Sequence, residues 1–507
     1  MLLSMEEFRA FQPKKTTYAL FGWPLGHTMS PELHAQLFEA SGQDAEYIGV
    51  AVPPDDLAEA FDLAKEKLAG INCTIPHKKA VIELLDGVDT AARDLHSVNT
   101  VAFCGGKAIG YNTDILGFAE SLTRDEVSLK GKKVLLLGYG GAASVMAYHC
   151  AREGAHLTIT GRNLEKASVL QQQITDSVPH AHVSVFSRRH IPRDIQIVLN
   201  STPVGMFPKE NLAPLHYLPH KTEYVFDAIY NPPVTATMRL ANPRKTKTRD
   251  GLYMLVMQAA HAQTIWSGVT FEPQACETIL RRTYGKMAVK RLHEKHNRRN
   301  IVLCGFMGSG KTTIGRKLAR VTGLDFVDAD QYLEEKEGKK ISEIFAEKGE
   351  AYFRNRETAY IKELSQRDGI VLSLGGGAVL RPENVSAVKQ TGLLIHLDTP
   401  FYRILKNLSY SNNRPLLDKP DKQAETRRLY NARKAIYHRV SDVSVRSPKL
   451  GEVLDKVVKS ISKTVAEPRF RRQVISGLRR TWTYESSYSE TFSLSGNKNR
   501  DTCSRFL

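Results

Sequence analysis

Gly305-Phe-Met-Gly-Ser-Gly-Lys-Thr312 follows a short apolar run, Ile301 to Cys304, and precedes a helical pattern from Thr313 to Val321. Apolar strand, glycine-rich turn and helix, in that order, frame a phosphate loop. The G-x-x-x-x-G-K-T spacing lets backbone N–H groups surround a polyphosphate, sends Lys311 to the outer phosphates and offers the Thr312 hydroxyl to Mg²⁺. Gly305, Gly308, Ser309, Gly310, Lys311, Thr312 and Thr313 are therefore the expected nucleotide-binding set. Such a loop usually opens its domain. Its start near residue 300 implies that a separate unit precedes it.

Length and composition agree, because 507 residues exceed one ordinary core and the 42% hydrophobic, 25% charged content is that of globular protein. No apolar run reaches membrane-span length, and Glu6, Glu7, Lys14 and Lys15 leave no room for the apolar core of a signal peptide. A cytoplasmic protein with no membrane partner is the expectation. Cys73, Cys104, Cys150, Cys276, Cys304 and Cys503 form no C-x-x-C pair and have no nearby histidine partners, a pattern that suits neither a zinc site nor a disulfide framework. The formal charge of +17 gathers at two joints: residues 281–299, and the stretch from Arg469 to Arg480 within the tail 466–507. No aromatic platform interleaves with either, so the expectation is a solvated basic linker and a disordered tail, with no nucleic-acid partner.

The first part of the chain repeats one device, a short apolar strand ending in a polar turn. Tyr18 to Phe21 leads into Gly22-Trp-Pro-Leu-Gly-His-Thr-Met-Ser-Pro31, where Thr28 and Ser30 bring two hydroxyls to a helix start. Gly70-Ile-Asn-Cys-Thr-Ile-Pro-His-Lys78, Ser97-Val-Asn-Thr100 and Gly110-Tyr-Asn-Thr-Asp114 are further strand ends. Carbonyl reduction needs a group that protonates the oxygen as hydride reaches the carbon, and Lys78 with Asp114 as partner suits that task. The hydride donor has a seat at Val134-Leu-Leu-Leu137 followed by Gly138-Tyr-Gly-Gly-Ala-Ala143, a G-x-G-x-x-A turn before a helix. The next strand ends in Gly161-Arg162-Asn163 in place of the carboxylate that holds an unmodified ribose, so Arg162 points to the 2′-phosphate of NADP(H). Strands alternating with helices predict an α/β fold with a parallel sheet.

Pro24-Leu-Gly-His-Thr-Met-Ser-Pro31, Asn72 to Lys78, Val98-Asn-Thr100, Asn112-Thr-Asp114, Gly138-Tyr-Gly-Gly-Ala142, Asn200 to Met206, Asp227 to Pro232 and Gly251 to Gln258 together resemble shikimate dehydrogenase, in order and over about residues 16–280. The resemblance implies a two-lobed unit: a substrate lobe at about 16–118 plus a C-terminal helix, and a Rossmann NADP lobe at about 119–250, with 1–15 an N-terminal extension. It implies that Thr28, Ser30, Thr74, Lys78, Asn99, Asp114 and Gln258 line the substrate site, Lys78 and Asp114 being the catalytic pair. Gly138, Gly140, Gly141, Ala142, Arg162 and Asn163 are implied to bind the cofactor, and Tyr230 and Gly251 to sit where nicotinamide meets substrate. The family usually has two serines in the first loop. Thr28 stands in place of one, which leaves quinate open as an alternative substrate.

After the phosphate loop, Asp325-Phe-Val-Asp328 and Asp330 place two carboxylates two residues apart at a strand end, suited to Mg²⁺ and to a hydroxyl proton. Phe353-Arg354 with Glu357, Gly375-Gly-Gly377, Asn412-Asn-Arg-Pro-Leu-Leu417 and Arg433 ahead of Tyr437 complete a set that resembles shikimate kinase over about residues 300–448, in a P-loop domain of about 300–465. By that resemblance Asp330 binds the shikimate hydroxyls and is the base, Arg354 and Arg433 clamp the carboxylate, and Gly376 and Gly377 support the ring. Lys311 and Arg414 would stabilise the transferring phosphoryl group, with Thr312 and Asp328 on the Mg²⁺ side and ATP as donor. The product of the first resemblance is the substrate of the second: 3-dehydroshikimate is reduced to shikimate, which is then phosphorylated. Two alternatives stay open, a quinate/shikimate dehydrogenase fused to the kinase, or one half kept as a silent regulatory module.

Overall fold

Mostly parallel strands organise the described residues, and most of the polar turns follow a strand's carboxyl end, while Asn99 precedes the antiparallel strand Thr100–Cys104. The computed structural model describes residues 1–26, 28–409, 422–446 and 456–457, and the chain divides into two units after Leu280. Arg414 and the tail 466–507 lie outside the described residues.

The first unit holds two sheets. In the seven-stranded one the spatial order is Leu2–Leu3, Ala45–Ala51, Thr16–Gly22, Gly70–Cys73, Thr100–Cys104, Lys107–Tyr111 and Gly87–Val88, with antiparallel pairing only on the two sides of Thr100–Cys104. The six-stranded sheet is wholly parallel and runs His182–Val185, His156–Thr160, Lys133–Leu137, Ile197–Asn200, Tyr224–Asp227, Lys247–Asp250. Numbered along the chain this is 3-2-1-4-5-6, the doubly wound dinucleotide order, and its switch point falls beside Lys133–Leu137, the strand that ends in Gly138. Helices Thr113–Arg124 and Leu252–Ser267 pack closely because position 117 is glycine: a Cβ there would lie 2.4 Å from the Met254 carbonyl oxygen.

Residues 1–15, expected as an extension, belong to this unit. Leu2–Leu3 pairs in parallel with Gly49 and Val50. Ser4 and Glu7 form a capping box on the helix Met5–Ala10, which buries Phe8 edge-on against Phe21 with centroids 5.8 Å apart. Two strand residues and six helix residues are too short to show periodicity.

The second unit carries a five-stranded parallel sheet in the order Asp325–Asp328, Ile370–Ser373, Asn300–Cys304, Gly392–Leu397, Val443–Val445. The stretch 281–299, expected as a linker, is helical as far as His296 within the helix Pro273–His296. Cys276, Leu280, Thr283, Met287, Ala288 and Leu292 recur at helical spacing and are buried. Gly285 lets the helix approach the Val321 backbone, where a Cβ would meet the Val321 carbonyl oxygen at 2.2 Å. The basic residues between these positions outnumber the apolar ones and mask the stripe, a common effect where long cationic stems flank a buried face.

Cys73, Cys150, Cys276 and Cys304 are free and buried. Burial pushes the thiols of Cys73 and Cys304 up to about 12. Among the described residues no helix is long and apolar enough to cross a membrane.

Candidate active sites

In the first unit, Lys78 lies in the short helix His77–Ala80 beyond the strand Gly70–Cys73, and Asp114 in the first turn of Thr113–Arg124. Lys78 Nζ donates to Asp114 Oδ2 at 2.5 Å, and the two side chains keep 25% and 19% of their surface exposed. An ion pair that is mostly enclosed yet reachable is what a proton-transfer pair requires. Asn112 caps the helix by accepting from the Asp114 N–H at 3.2 Å, and the Val98 N–H donates to the Lys78 carbonyl at 2.8 Å.

Asn99, expected to touch substrate, is also a framework residue. Its Oδ1 accepts from the Thr113 N–H at 2.7 Å and from Thr100 Oγ1 at 3.0 Å, while its Nδ2 donates to Thr113 Oγ1 at 3.1 Å. Behind it Asn72 donates to the Asn99 carbonyl at 3.0 Å and to Thr100 Oγ1 at 2.9 Å, and accepts from Tyr47 Oη at 2.6 Å. Tyr47 stacks on His34 with centroids 4.0 Å apart. Burial holds the His34 imidazole down at about 3, hence neutral. Sequence reading missed Tyr47, Thr100, Thr113 and His34 as supports. The only local sign was Thr113 between Asn112 and Asp114.

Thr28 and Ser30 lie at the start of the helix Ser30–Ser41, joined by Thr28 Oγ1 donating to Ser30 Oγ at 3.2 Å. Thr74 follows the neighbouring strand end and crowds Gly22, where a Cβ would fall 2.4 Å from the Thr74 methyl. Gln258 is largely buried on Leu252–Ser267 and donates to the Leu255 carbonyl at 3.0 Å. Gly251 donates to the Ile229 carbonyl at 3.2 Å, beside Tyr230, and a Cβ at 251 would stand 2.1 Å from the Ala228 oxygen, so only glycine fits. Asp227 braces the adjoining turns by accepting from Asn200 at 2.9 Å and from Thr235 at 2.6 Å. Burial raises its carboxyl to about 6 against the pull of those bonds.

The six-stranded sheet has a cofactor seat that its own packing does not fill. Gly138 has φ +115°, where side chains are strained, and packs against Ser201 Oγ. Gly140 and Gly141 are different: a Cβ on either would meet nothing within 4 Å, so the chain's own contacts do not demand glycine there. The helix Gly141–Arg152 starts at Gly140 with no side-chain cap, leaving its first N–H groups for an anion, with Ala142 in that turn. Arg162 is exposed past the end of His156–Thr160. Asn163 caps the helix Leu164–Ser177, accepting from the Lys166 N–H at 3.0 Å. These residues fit a dinucleotide carrying an extra phosphate. Tyr139, the residue between the first two glycines of this turn, lays its ring over Gly161, where a Cβ would come within 2.5 Å of Cε1.

In the second unit Gly305, Gly308 and Gly310 take φ of +149°, +74° and +90°, and Gly310 starts the helix Lys311–Thr322 with no side-chain cap. Lys311 Nζ donates to the Gly305 and Phe306 carbonyls at 3.0 and 3.2 Å, curling over the loop that a phosphate would enter. The Ser309 carbonyl accepts from Thr399 Oγ1 at 2.9 Å, fixing the loop to the end of Gly392–Leu397. Thr312 Oγ1 donates to Asp328 Oδ2 at 2.8 Å. Thr312 and the next residue, Thr313, are both exposed. One hydroxyl and one carboxylate fit a Mg²⁺ ion whose other ligands are phosphate and water.

Asp330 follows on the helix Ala329–Glu337, and a Cβ on Gly375 would meet Asp330 Oδ1 at 2.6 Å and Glu357 Oε1 at 2.9 Å. Asp330, Glu357 and the triple glycine thus share one corner. Arg354 Nη1 donates to Glu357 Oε2 at 2.8 Å, and Glu357 is 3% exposed. Burial raises the Glu357 carboxyl, and the Arg354 guanidinium opposes that rise. Arg354 also lies flat on Gly377, 2.6 to 2.9 Å from where a Cβ would be. Arg433 is half-buried on the helix Lys422–Val440. Glu357 and Tyr437 were visible in sequence as motif members, but their supporting contacts were not.

These folds and sites define a dinucleotide-type oxidoreductase unit followed by a P-loop phosphotransferase unit. Residues 20–101 match the family described as shikimate dehydrogenase substrate binding domain, residues 119–245 shikimate / quinate 5-dehydrogenase, and residues 307–465 shikimate kinase. The shikimate dehydrogenase (NADP(+)) of Carboxydothermus hydrogenoformans is 36% identical over 255 residues, covering 50% of this chain and 91% of the relative. That of Aquifex aeolicus is 35% identical over 265 residues, 52% and 96% of the two chains. A crystal structure of shikimate dehydrogenase in complex with NADP⁺ aligns with TM-score 0.50 and 32% identity over 53% of this chain and 95% of its own. A chorismate mutase/shikimate 5-dehydrogenase fusion protein from Clostridium acetobutylicum aligns with TM-score 0.50 and 31% identity over 54% and 99%. The chain belongs to the shikimate dehydrogenase family and carries a shikimate kinase domain after it, which makes it a bifunctional shikimate-pathway enzyme.

Proposed function

We propose that Lys78 and Asp114 handle the proton in the reduction of 3-dehydroshikimate to shikimate, and that Asp330, Arg354 and Arg433 hold shikimate for phosphorylation to shikimate 3-phosphate. The observation that carries the first assignment is the 2.5 Å Lys78–Asp114 pair, enclosed but reachable beyond a strand end. Lys78 gives its proton to the substrate oxygen, and Asp114 keeps the ammonium aimed and charged beforehand. Thr28, Ser30 and Thr74 supply hydroxyls for the acid group, Asn99 and Gln258 amides for the ring hydroxyls, and Tyr230 with Gly251 shapes the nicotinamide edge. Gly138 to Ala142 cradle the pyrophosphate, and Arg162 with Asn163 takes the 2′-phosphate. When bound, NADPH supplies hydride, and ATP with Mg²⁺ supplies the phosphoryl group.

In the second unit Asp330 accepts the 3-hydroxyl proton, and Arg354 and Arg433 grip the carboxylate with planar forks that bond it in two places. Gly376 and Gly377 admit the ring because they carry no side chain. Lys311 swings from the Gly305 and Phe306 carbonyls to the transferring phosphate, where Arg414 would join it. Thr312 and Asp328 contribute the protein's oxygens to Mg²⁺.

Purified chain given 3-dehydroshikimate, NADPH, ATP and Mg²⁺ together should yield shikimate 3-phosphate by mass spectrometry, and only with both nucleotides present. Accumulating shikimate would mean a silent kinase half, and no NADPH consumption would remove the Lys78–Asp114 assignment. Quinate is a second reading, supported by the methyl that Thr28 adds beside Ser30. Turnover with quinate against shikimate decides it.

A further inference from the structure

Tyr437 is used by none of the steps above, yet it packs into the second site. It lies one helical turn beyond Arg433 and is 1% exposed. Its ring stacks on His396 with centroids 5.2 Å apart and planes 19° apart. Its hydroxyl donates to the Gly376 carbonyl, and burial raises the phenol while the Arg433 charge, one turn earlier on the helix, opposes that rise. A phenol has one proton to give, and here the Gly376 carbonyl takes it.

The consequence for the glycine turn follows from peptide planarity. In a trans peptide the C=O of one residue and the N–H of the next point in opposite directions. With the Gly376 carbonyl drawn to Tyr437, the Gly377 N–H is aimed the other way. His396 anchors the ring from the far side. It pairs in register with Cys304, the residue before the phosphate loop, and burial followed by the nearby His438 holds its imidazole down at about 4, so an uncharged ring faces the tyrosine.

We infer that Tyr437 is a positioning residue for the kinase reaction: its hydroxyl fixes the Gly376–Gly377 peptide beside the Arg433 guanidinium, and so shapes the surface that meets the shikimate carboxylate and ring. The inference rests on the assignment of Arg433 and Gly377 to that substrate.

Tyr437→Phe in the full chain deletes one oxygen and keeps the ring on His396. Kinase turnover is read at varied shikimate with ATP saturating, then at varied ATP, with dehydrogenase activity as the internal standard of folded enzyme. The expected result is a rise of about 3- to 10-fold in KM for shikimate, the worth of a hydrogen bond of this kind, with KM for ATP within about two-fold. A merely structural role would move both KM values together or neither, and either outcome overturns the inference. Arg433→Lys, measured alongside, separates the two layers. If it raises KM for shikimate while Tyr437→Phe does not, the substrate assignment stands and the role of Tyr437 falls. If neither variant moves it, both fall.

Discussion

Gly377→Ala tests the carboxylate clamp with one methyl group. Gly377 has φ −103° and ψ −11°, backbone that alanine adopts freely, so the substitution adds no strain of its own. What it adds is a Cβ at 2.6, 2.7 and 2.9 Å from Nη1, Nη2 and Cζ of Arg354. Ordinary contact lies near 3.5 Å, so the guanidinium must withdraw by roughly 0.9 Å. It cannot slide freely, because Nη1 is bonded to Glu357 and Glu357 is itself enclosed. A displacement of about 1 Å in a positioning group costs on the order of 100-fold, and the loss of one hydrogen bond to a charge costs about 1.5–3 kcal/mol, roughly 10- to 150-fold. A fall of about 10- to 100-fold in kcat/KM for shikimate is expected, mostly in KM, because the clamp is used in ground and transition states alike. Gly376→Ala separates the two effects, since its Cβ would meet Met307, nearest at the N–H at 3.3 Å, and no atom of Arg354, so any loss there reads the space for the ring alone and should be smaller than that of Gly377→Ala. Both variants are assayed on the full chain with dehydrogenase turnover as reference. Unchanged KM for shikimate in a folded Gly377→Ala enzyme would refute the placement of Arg354 on the substrate.

Lys78→Ala should lower dehydrogenase kcat by about 10²- to 10⁴-fold and leave kinase turnover near normal, and Asp330→Asn should do the converse, both read by paired assays on one preparation. Gly161→Ala puts a Cβ 2.5 Å from the Tyr139 ring and pushes it off the end of His156–Thr160 beside Arg162. NADPH binding by calorimetry should weaken by roughly five-fold while KM for 3-dehydroshikimate holds. His34 predicts the acid limb of stability. Its folded value of about 3 lies below the ordinary 6.5, so its contribution is complete above pH 6.5 and is lost as pH falls toward 3. From pH 6.5 to 5 the loss is about 2 kcal/mol, measurable as a lower urea midpoint of the first unit, and His34→Gln should flatten that slope.

The candidate loops stand out in the sequence because each follows a short apolar strand with residues suited to backbone freedom or a single polar group. Gly138, Gly305 and Gly310 take left-handed backbone, and Lys78 and Asp114 are charges set just beyond strand ends, each the other's partner. Their supports were harder to see. Thr100 and Thr113 meet through tertiary structure thirteen residues apart, and Tyr47 reaches Asn72 across the intervening strand Thr16–Gly22. Glu357 looks like an ordinary helix carboxylate until its burial against Arg354 is known. Short length hid the N-terminal strand and helix, and dense positive charge hid the apolar stripe of Pro273–His296.

The buried thiols of Cys73 and Cys304 stand one residue before Thr74 and one before Gly305, at the root of an active-site loop in each unit. Protonated and enclosed, neither reacts while its strand stays in the sheet. Mass-tagging with iodoacetamide at these two positions therefore clocks the opening of each catalytic centre separately, in one tube and on one unlabelled polypeptide.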